Sequence, residues 1–192
     1  MQMVSVSRVA ATGTLAALMM VSAANAQTTH RMEKHFAVQG NPVITVQNPS
    51  GHIQVKAWDK HEVMIVGQSA GNDVEVDTEQ AGNRIEVATR IVGSRPAPAD
   101  TKMDYEISVP AESELQIRTD SGSVMVESVH GDMSFDTVAA DLDLQDVAGY
   151  LVIKSIGGSV FCTRCAGRLD ATSSAYLMNR LLPASSMATK PR

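Results

Sequence analysis

From Gly122 the chain reads GSVMVESVH, GDMSFDTVA, ADLDLQDVA, GYLVIKSIG, GSVFCTRCA and GRLDATSSA, six units of nine residues that open at Gly122, Gly131, Ala140, Gly149, Gly158 and Gly167. Two positions further on stand Val124, Met133, Leu142, Leu151, Val160 and Leu169. Four positions on stand Val126, Phe135, Leu144, Ile153, Cys162 and Ala171, and seven on stand Val129, Val138, Val147, Ile156, Cys165 and Ser174. A fixed period of this kind marks a stacked array. Positions two and four share one face of a short extended strand, because side chains alternate with period two. Position seven has the opposite parity and points inward only if the chain turns a corner first. Glycine at the opening position supplies the backbone angles of another corner, so Gly122, Gly131, Gly149, Gly158 and Gly167 are structural glycines of the repeat.

Each unit is thus read as one short strand plus a turn. A helix would need apolar residues at three- and four-residue spacing. One such strand cannot bury its own apolar face, so the units stack, and the expected fold is an all-β, single-domain β-solenoid-like array. The alternative is a β-sandwich with evenly spaced strands. A coil of two units aligns Arg118, Asp136 and Lys154 in one ladder and sets Asp146 beside Arg164. A coil of three units pairs Glu127 with Lys154 and Asp141 with Arg168 but stacks Asp143 on Asp170. Opposite charges are the favourable neighbours across a ladder, which points to two strands per coil.

Upstream, Met1 to Ala26 has the form of a secretory signal peptide, with Arg8 its only charge, an apolar run over Val9 to Val21, and Ala24-Asn25-Ala26 as an A-x-A cleavage site. The run is too short to span a bilayer, so the expectation is export to the periplasm or cell exterior with no stable membrane span after cleavage. Cleavage leaves 166 residues with 15 basic against 21 acidic side chains, a net charge of −6, without the basic patch that nucleic acid or anionic lipid would require. Residues 27–42 form a lead-in, and the β-repeat domain is placed at 43–174. Strands are expected at VITVQ, HIQVKAW, HEVMIVGQ, DVEVDT, RIEVATRIV, DYEISVP and LQIRT, with Asn48-Pro49-Ser50-Gly51 and Asp59-Lys60 as turns.

Asn48 to Val63 (NPSGHIQVKAWDKHEV), Asp104 to Pro110 (DYEISVP) and Leu115 to Val124 (LQIRTDSGSV), followed by the nine-residue units, resemble the bacterial putative-adhesin domain family. The resemblance covers about Val43 to Ser174 and implies an exported β-repeat domain of unknown function with no established catalytic residues. It breaks after Ser173. There Ala175-Tyr176-Leu177-Met178-Asn179-Arg180-Leu181-Leu182-Pro183 replaces another unit, so 175–192 is a short cap, the stub of a longer frame, or a disordered tail.

Cys162 and Cys165 are the only cysteines and form C-T-R-C. A zinc site lacks its other ligands, and a thioredoxin-like redox centre needs a helix start that is not there. Both cysteines fall on inward positions of the repeat, as small hydrophobes or as a local disulfide. The aspartates at 132, 136, 141, 143, 146 and 170 lack the common register of a calcium-binding nonapeptide array and read as an outward, solvated face, so no metal or cofactor is expected. Asp120-Ser121-Gly122 lacks the G-x-S-x-G context of a nucleophilic serine, and His30, His35, His52, His61 and His130 show no ligand spacing. Trp58 with Tyr105 would make a carbohydrate-stacking platform, against ordinary packing of Trp58 at a strand end. The reading is an exported, non-enzymatic structural or adhesin-like interaction module for an envelope protein or glycan. Its alternatives are an envelope polysaccharide-acting enzyme with Asp141 and Asp143 on one outward face, and a periplasmic redox module using the cysteine pair.

Overall fold

The computed structural model describes residues 30–69, 71–92 and 101–173, and every regular element in them is a strand. The segment read as a signal peptide, 1–26, and the segment 175–192 lie outside the described residues. In chain order the strands are β1 (His30–Ala37), β2 (Val43–Trp58), β3 (Glu62–Ser69), β4 (Val74–Ala81), β5 (Arg84–Ile91), β6 (Met103–Pro110), β7 (Glu114–Glu127), β8 (Met133–Gln145), β9 (Ala148–Gly157), β10 (Val160–Thr163) and β11 (Ala166–Ser173). They form one sheet that does not close.

The long strands span two units each, which corrects the reading of one strand and one turn per unit. Burial parity shows how. In β7 the buried residues are Leu115, Ile117 and Thr119, then Val124 and Val126, so parity inverts around Gly122. In β8 it inverts between Thr137 and Ala140, and in β2 between Asn48 and Ile53, so Asn48-Pro49-Ser50-Gly51 is a bend inside a continuous strand rather than a turn. Because each strand bends without breaking, both its halves send apolar side chains to the same interior. Ile44, Ile53, Leu115, Val124, Phe135, Leu144 and Ile153 belong to one core cluster. Burying each such side chain is worth about 1.5–3 kcal/mol.

Strand pairing is parallel from β2 onward through β7, β8 and β9 to β11, and from β8 to β10. From β7 on, partners lie 18 residues apart, two units rather than three: Leu115 pairs with Met133, Met133 with Leu151, Leu142 with Val160, and Ala148 with Ala166. The first halves of β2, β7, β8 and β9 are therefore stacked, as are the second halves of β2, β7 and β8 with β10. On the far side of β2, β5 pairs with its first half and β6 with its second. Three antiparallel strands finish that end, with β4 on β5, β3 on β6 and β1 on β3. β1 lies inside the stretch read as a lead-in, and it joins the sheet because Met32 and Phe36 pack against the core.

The two corners of the 18-residue period are built differently. At the first, Gly122 packs so closely on Gly51 that a Cβ would stand 1.9 Å from the Gly51 carbonyl oxygen, and its φ of 115° disfavours any other residue. Ala140 and Gly158 continue that column. Just before this corner Thr119, Thr137 and Ser155 are buried one above another, and the hydroxyls of Thr119 and Ser155 donate to the carbonyls of Ser121 and Gly157, 3.2 and 2.6 Å away. At the second corner, Ser128, Asp146 and Arg164 take left-handed φ of 60°, 54° and 53°. That reversal turns Val129 and Val147 inward, to 0% and 1% exposure. Position seven of the other units sits on the first corner, where nothing turns it inward. Val138 and Ile156 are 43% and 66% exposed there, contrary to the inward position expected of them.

Candidate functional site

The first halves of β2, β7, β8 and β9 alternate strictly. Their inward residues Val46, Ile117, Phe135 and Ile153 fill the core, and parity therefore puts Gln47, Arg118, Asp136 and Lys154 outward on one flat face, in register along the ladder. A second outward row runs beside it through Thr45, Gln116 and Ser134. Together these side chains line a shallow groove of about 380 Å3. The Arg118 guanidinium donates to Asp136 Oδ2 at 3.2 Å, the Gln47 amide donates to Glu86 Oε1 at 3.3 Å, and the Thr45 hydroxyl donates to Gln116 Oε1 at 3.4 Å. The Lys154 ammonium has no ion-pair partner among the described residues. Arg118 and Asp136 are well exposed, at 67% and 52% of their side-chain surfaces, so their pairing is a weak solvent-screened contact that an incoming ligand can replace. The face offers donors, acceptors and both charges on a rigid support, and no aromatic ring lies in the groove.

The outward aspartates have a structural use that their spacing in sequence did not reveal. Asp141 Oδ1 accepts the backbone N–H of Ser159 at 2.8 Å, and Asp132 Oδ1 accepts that of Tyr150 at 3.3 Å, each across one ladder step. Asp104 Oδ1 does the same for His52 at 2.7 Å. In all three the amide belongs to the residue just past a corner glycine, where the carboxylate of the neighbouring strand meets it. Asp143 accepts from the Gln145 amide at 3.1 Å. Asp141 and Asp143 are thus each engaged locally. No group of three or more His, Cys, Asp or Glu side chains suited to a metal occurs among the described residues.

His52 Nδ1 lies within hydrogen-bonding distance of Ser123 Oγ, with Asp104 close by. The grouping lacks the contact that makes a nucleophilic triad, because Asp104 receives the His52 backbone N–H and does not orient the imidazole. Trp58 and Tyr105 form no stacking platform. Tyr105 is 1% exposed, with its hydroxyl 2.7 Å from Thr89 Oγ1, and burial pushes its phenol up to about 12. Trp58 donates its indole N–H to the Glu62 carbonyl at 2.7 Å, joining the end of β2 to the start of β3.

The Cys162 and Cys165 sulfurs are bonded to each other, their Cα atoms 5.9 Å apart across the corner that contains Arg164. The equivalent positions one step down the ladder are Leu144 and Val147, both buried. The repeat glycines Gly122, Gly131, Gly149, Gly158 and Gly167 all lie at corners with positive φ. Sequence reading missed the left-handed residues Ser128, Asp146 and Arg164, which share no residue type. It also missed the column of Thr119, Thr137 and Ser155, whose signal is a small hydroxyl side chain recurring at 18 residues.

Neither a protein-family model nor a curated protein matches the sequence. Among solved structures, the chain is similar to a putative cell adhesion protein from Clostridium sporogenes ATCC 15579, at 8% identity and a TM-score of 0.48, over 77% of this chain and 98% of that one. It is similar to a putative adhesin from Bacteroides fragilis NCTC 9343, at 14% identity and a TM-score of 0.45, over 77% and 78% of the two chains. A putative adhesin from Parabacteroides merdae ATCC 43184 is similar at 9% identity and a TM-score of 0.40, over 77% and 80%. The solved proteins it resembles are thus bacterial and carry adhesin or cell-adhesion descriptions.

Proposed function

We propose that this chain is an exported, non-enzymatic interaction module, built as a β-solenoid with two nine-residue units per coil, that binds a polar envelope glycan on the flat face of its first half-coils. The single observation that carries the reading is the register of Gln47, Arg118, Asp136 and Lys154, which repeats polar side chains at the strand spacing of about 4.8 Å. A linear, hydroxyl-rich polymer presents acceptors and donors at regular intervals, and a rigid ladder meets them without ordering loops first. Side chains fixed on one face favour capture over turnover, since they hold no paired acid and base above a reacting bond. The A-x-A signal at Ala24 to Ala26 supports delivery to the periplasm or exterior, where such polymers lie. The local engagement of Asp132 and Asp141 with backbone amides weighs against a carboxylate-based hydrolase, and the disulfide reading of Cys162 and Cys165 is structural.

The test is binding of the purified chain to an array of neutral and acidic envelope glycans, with Arg118→Ala and Lys154→Ala combined as the probe of the face. Retention of a glycan that falls about tenfold or more in the double variant supports the assignment. Equal retention by both proteins places the ligand elsewhere, retention of envelope protein alone replaces glycan as the ligand, and release of cleaved glycan turns the module into an enzyme.

A further inference from the structure

Between its two corners β9 sends Tyr150, Val152 and Lys154 outward, while Leu151, Ile153 and Ser155 face the core. Lys154 ends the row that lines the groove, between Asp136, which is held by Arg118, and Thr172 on β11. It is the cation of the groove that has no ion pair among the described residues. Tyr150 lies beyond the groove on the same face, about 13 Å from Lys154 along the strand. Its ring takes no part in the core and is 38% exposed, yet its neighbours hold it in place. Asp132 Oδ1 accepts its backbone N–H at 3.3 Å, Asp170 accepts its hydroxyl, and the Arg168 guanidinium lies over the ring, 5.5 Å from the centroid. The side chain is thus oriented in advance, so little ordering is left to binding. The Arg168 side chain is 76% exposed, and a cation over a ring in water is a weak contact that a ligand can displace.

We infer that the glycan held by this face is acidic, with a sugar carboxylate on Lys154 and a neighbouring pyranose ring stacked on Tyr150. The inference rests on the glycan reading and extends it from the groove along β9. A pyranose ring presents a face of C–H groups, which an aromatic ring covers while the hydroxyls stay in water. The half-buried Val152 continues that apolar strip toward Lys154. A neutral sugar leaves the Lys154 ammonium with nothing to pair, whereas a uronic acid supplies the carboxylate for a charge-assisted hydrogen bond. Asp136 does not oppose it, because Arg118 already pairs with that carboxylate. On an acidic chain, the row of Gln47, Arg118, Asp136 and Lys154 sets two cations against one anion. The span of about 13 Å is longer than one sugar ring, so the stacked ring and the acid belong to different sugars of the polymer.

The probes are a hexasaccharide of alternating glucuronic acid and N-acetylglucosamine, and the same hexasaccharide with its carboxyls reduced to alcohols, both titrated by calorimetry. The acidic form is expected to bind the full chain at least about tenfold more tightly than the reduced form. Lys154→Gln is expected to remove that difference. Tyr150→Ala is expected to weaken both forms by about tenfold while keeping the difference between them. Tyr150→Phe retains the ring and is expected to stay within about threefold of the unaltered chain. Equal affinity for the two forms overturns the acidic assignment and leaves the glycan reading in place. Unchanged affinity in Tyr150→Ala overturns the stacking. Binding of neither form overturns the inference outright, and the glycan array then decides the broader reading alone. Should Tyr150→Ala fail to fold, NMR of the Tyr150 ring protons in the unaltered chain decides the stacking: a shift on binding supports it and no shift overturns it.

Discussion

A Cβ on Gly122 would stand 1.9 Å from the carbonyl oxygen of Gly51, a residue 71 positions earlier that pairs with it across the β2–β7 ladder. The two backbones touch at a corner where no side chain fits. Gly122→Ala is therefore expected to destabilise the protein by about 3 kcal/mol or more, through backbone overlap and a φ that alanine resists. Gly82→Ala is the comparison, since Gly82 has a φ of 63° with nothing within 4 Å of its missing Cβ. It is expected to cost only about 1–2 kcal/mol, from the backbone conformation alone. Urea unfolding of the two variants measures the difference, and equal losses would remove the close stacking as the cause.

Tyr105 gives a pH dependence with a clear sign. Burial pushes its phenol up to about 12 from an ordinary 10, and the hydrogen bond to Thr89 pulls the other way. The folded state therefore favours the neutral phenol. Its contribution is fully present below pH 10 and is lost as pH rises from 10 to 12, a change of about 2–3 kcal/mol. Tyr105→Phe is expected to abolish most of that alkaline slope while leaving the buried Thr89 hydroxyl without its partner, at about 1–2 kcal/mol near neutral pH. Urea midpoints at several pH values separate the two effects.

His35 titrates on the edge strand. Hydrogen bonds to Glu33 and then Glu62, with Nε2 3.0 Å and Nδ1 2.6 Å from their carboxylates, hold its imidazolium above the ordinary 6.5. Glu33 is lowered in return, chiefly by its hydrogen bond to His35. The His35 contribution is fully present below pH 6.5 and is lost as pH rises through the higher folded value. NMR titration is expected to place His35 above the ordinary 6.5, and Glu33→Gln to bring it down. A His35 titration unaffected by that substitution would break the assignment.

The disulfide is expected to be structural. Cys162→Ser with Cys165→Ser should lower stability by about 1–2 kcal/mol, the scale for a short loop, and leave ligand binding unchanged. Loss of binding in the double variant, with the fold intact by circular dichroism, would make the pair part of a functional site.

Much of this architecture was legible in the repeat. Val124, Val126, Met133, Phe135, Leu142, Leu144, Leu151 and Ile153 are all buried where period two sets them, because alternation depends only on the local pleat. The outward row of Arg118, Asp136 and Lys154 was legible for the same reason. Position seven was not. Val129 and Val138 occupy the same place in the nine-residue unit, yet one is buried and the other exposed, because the two kinds of corner alternate.

The sequence by itself therefore determined an all-β stack, its inward columns and the glycines at its corners, since these follow from side-chain parity and from backbone angles that only small residues tolerate. Only the tertiary structure decided that two units make one bent strand, that Asp132 and Asp141 accept the amides of Tyr150 and Ser159 one ladder step on, and that position seven faces inward at one corner and outward at the other. Those depend on which residue lies 18 positions away across the ladder. No local pattern carries that, because the contact forms only when separate strands have already stacked.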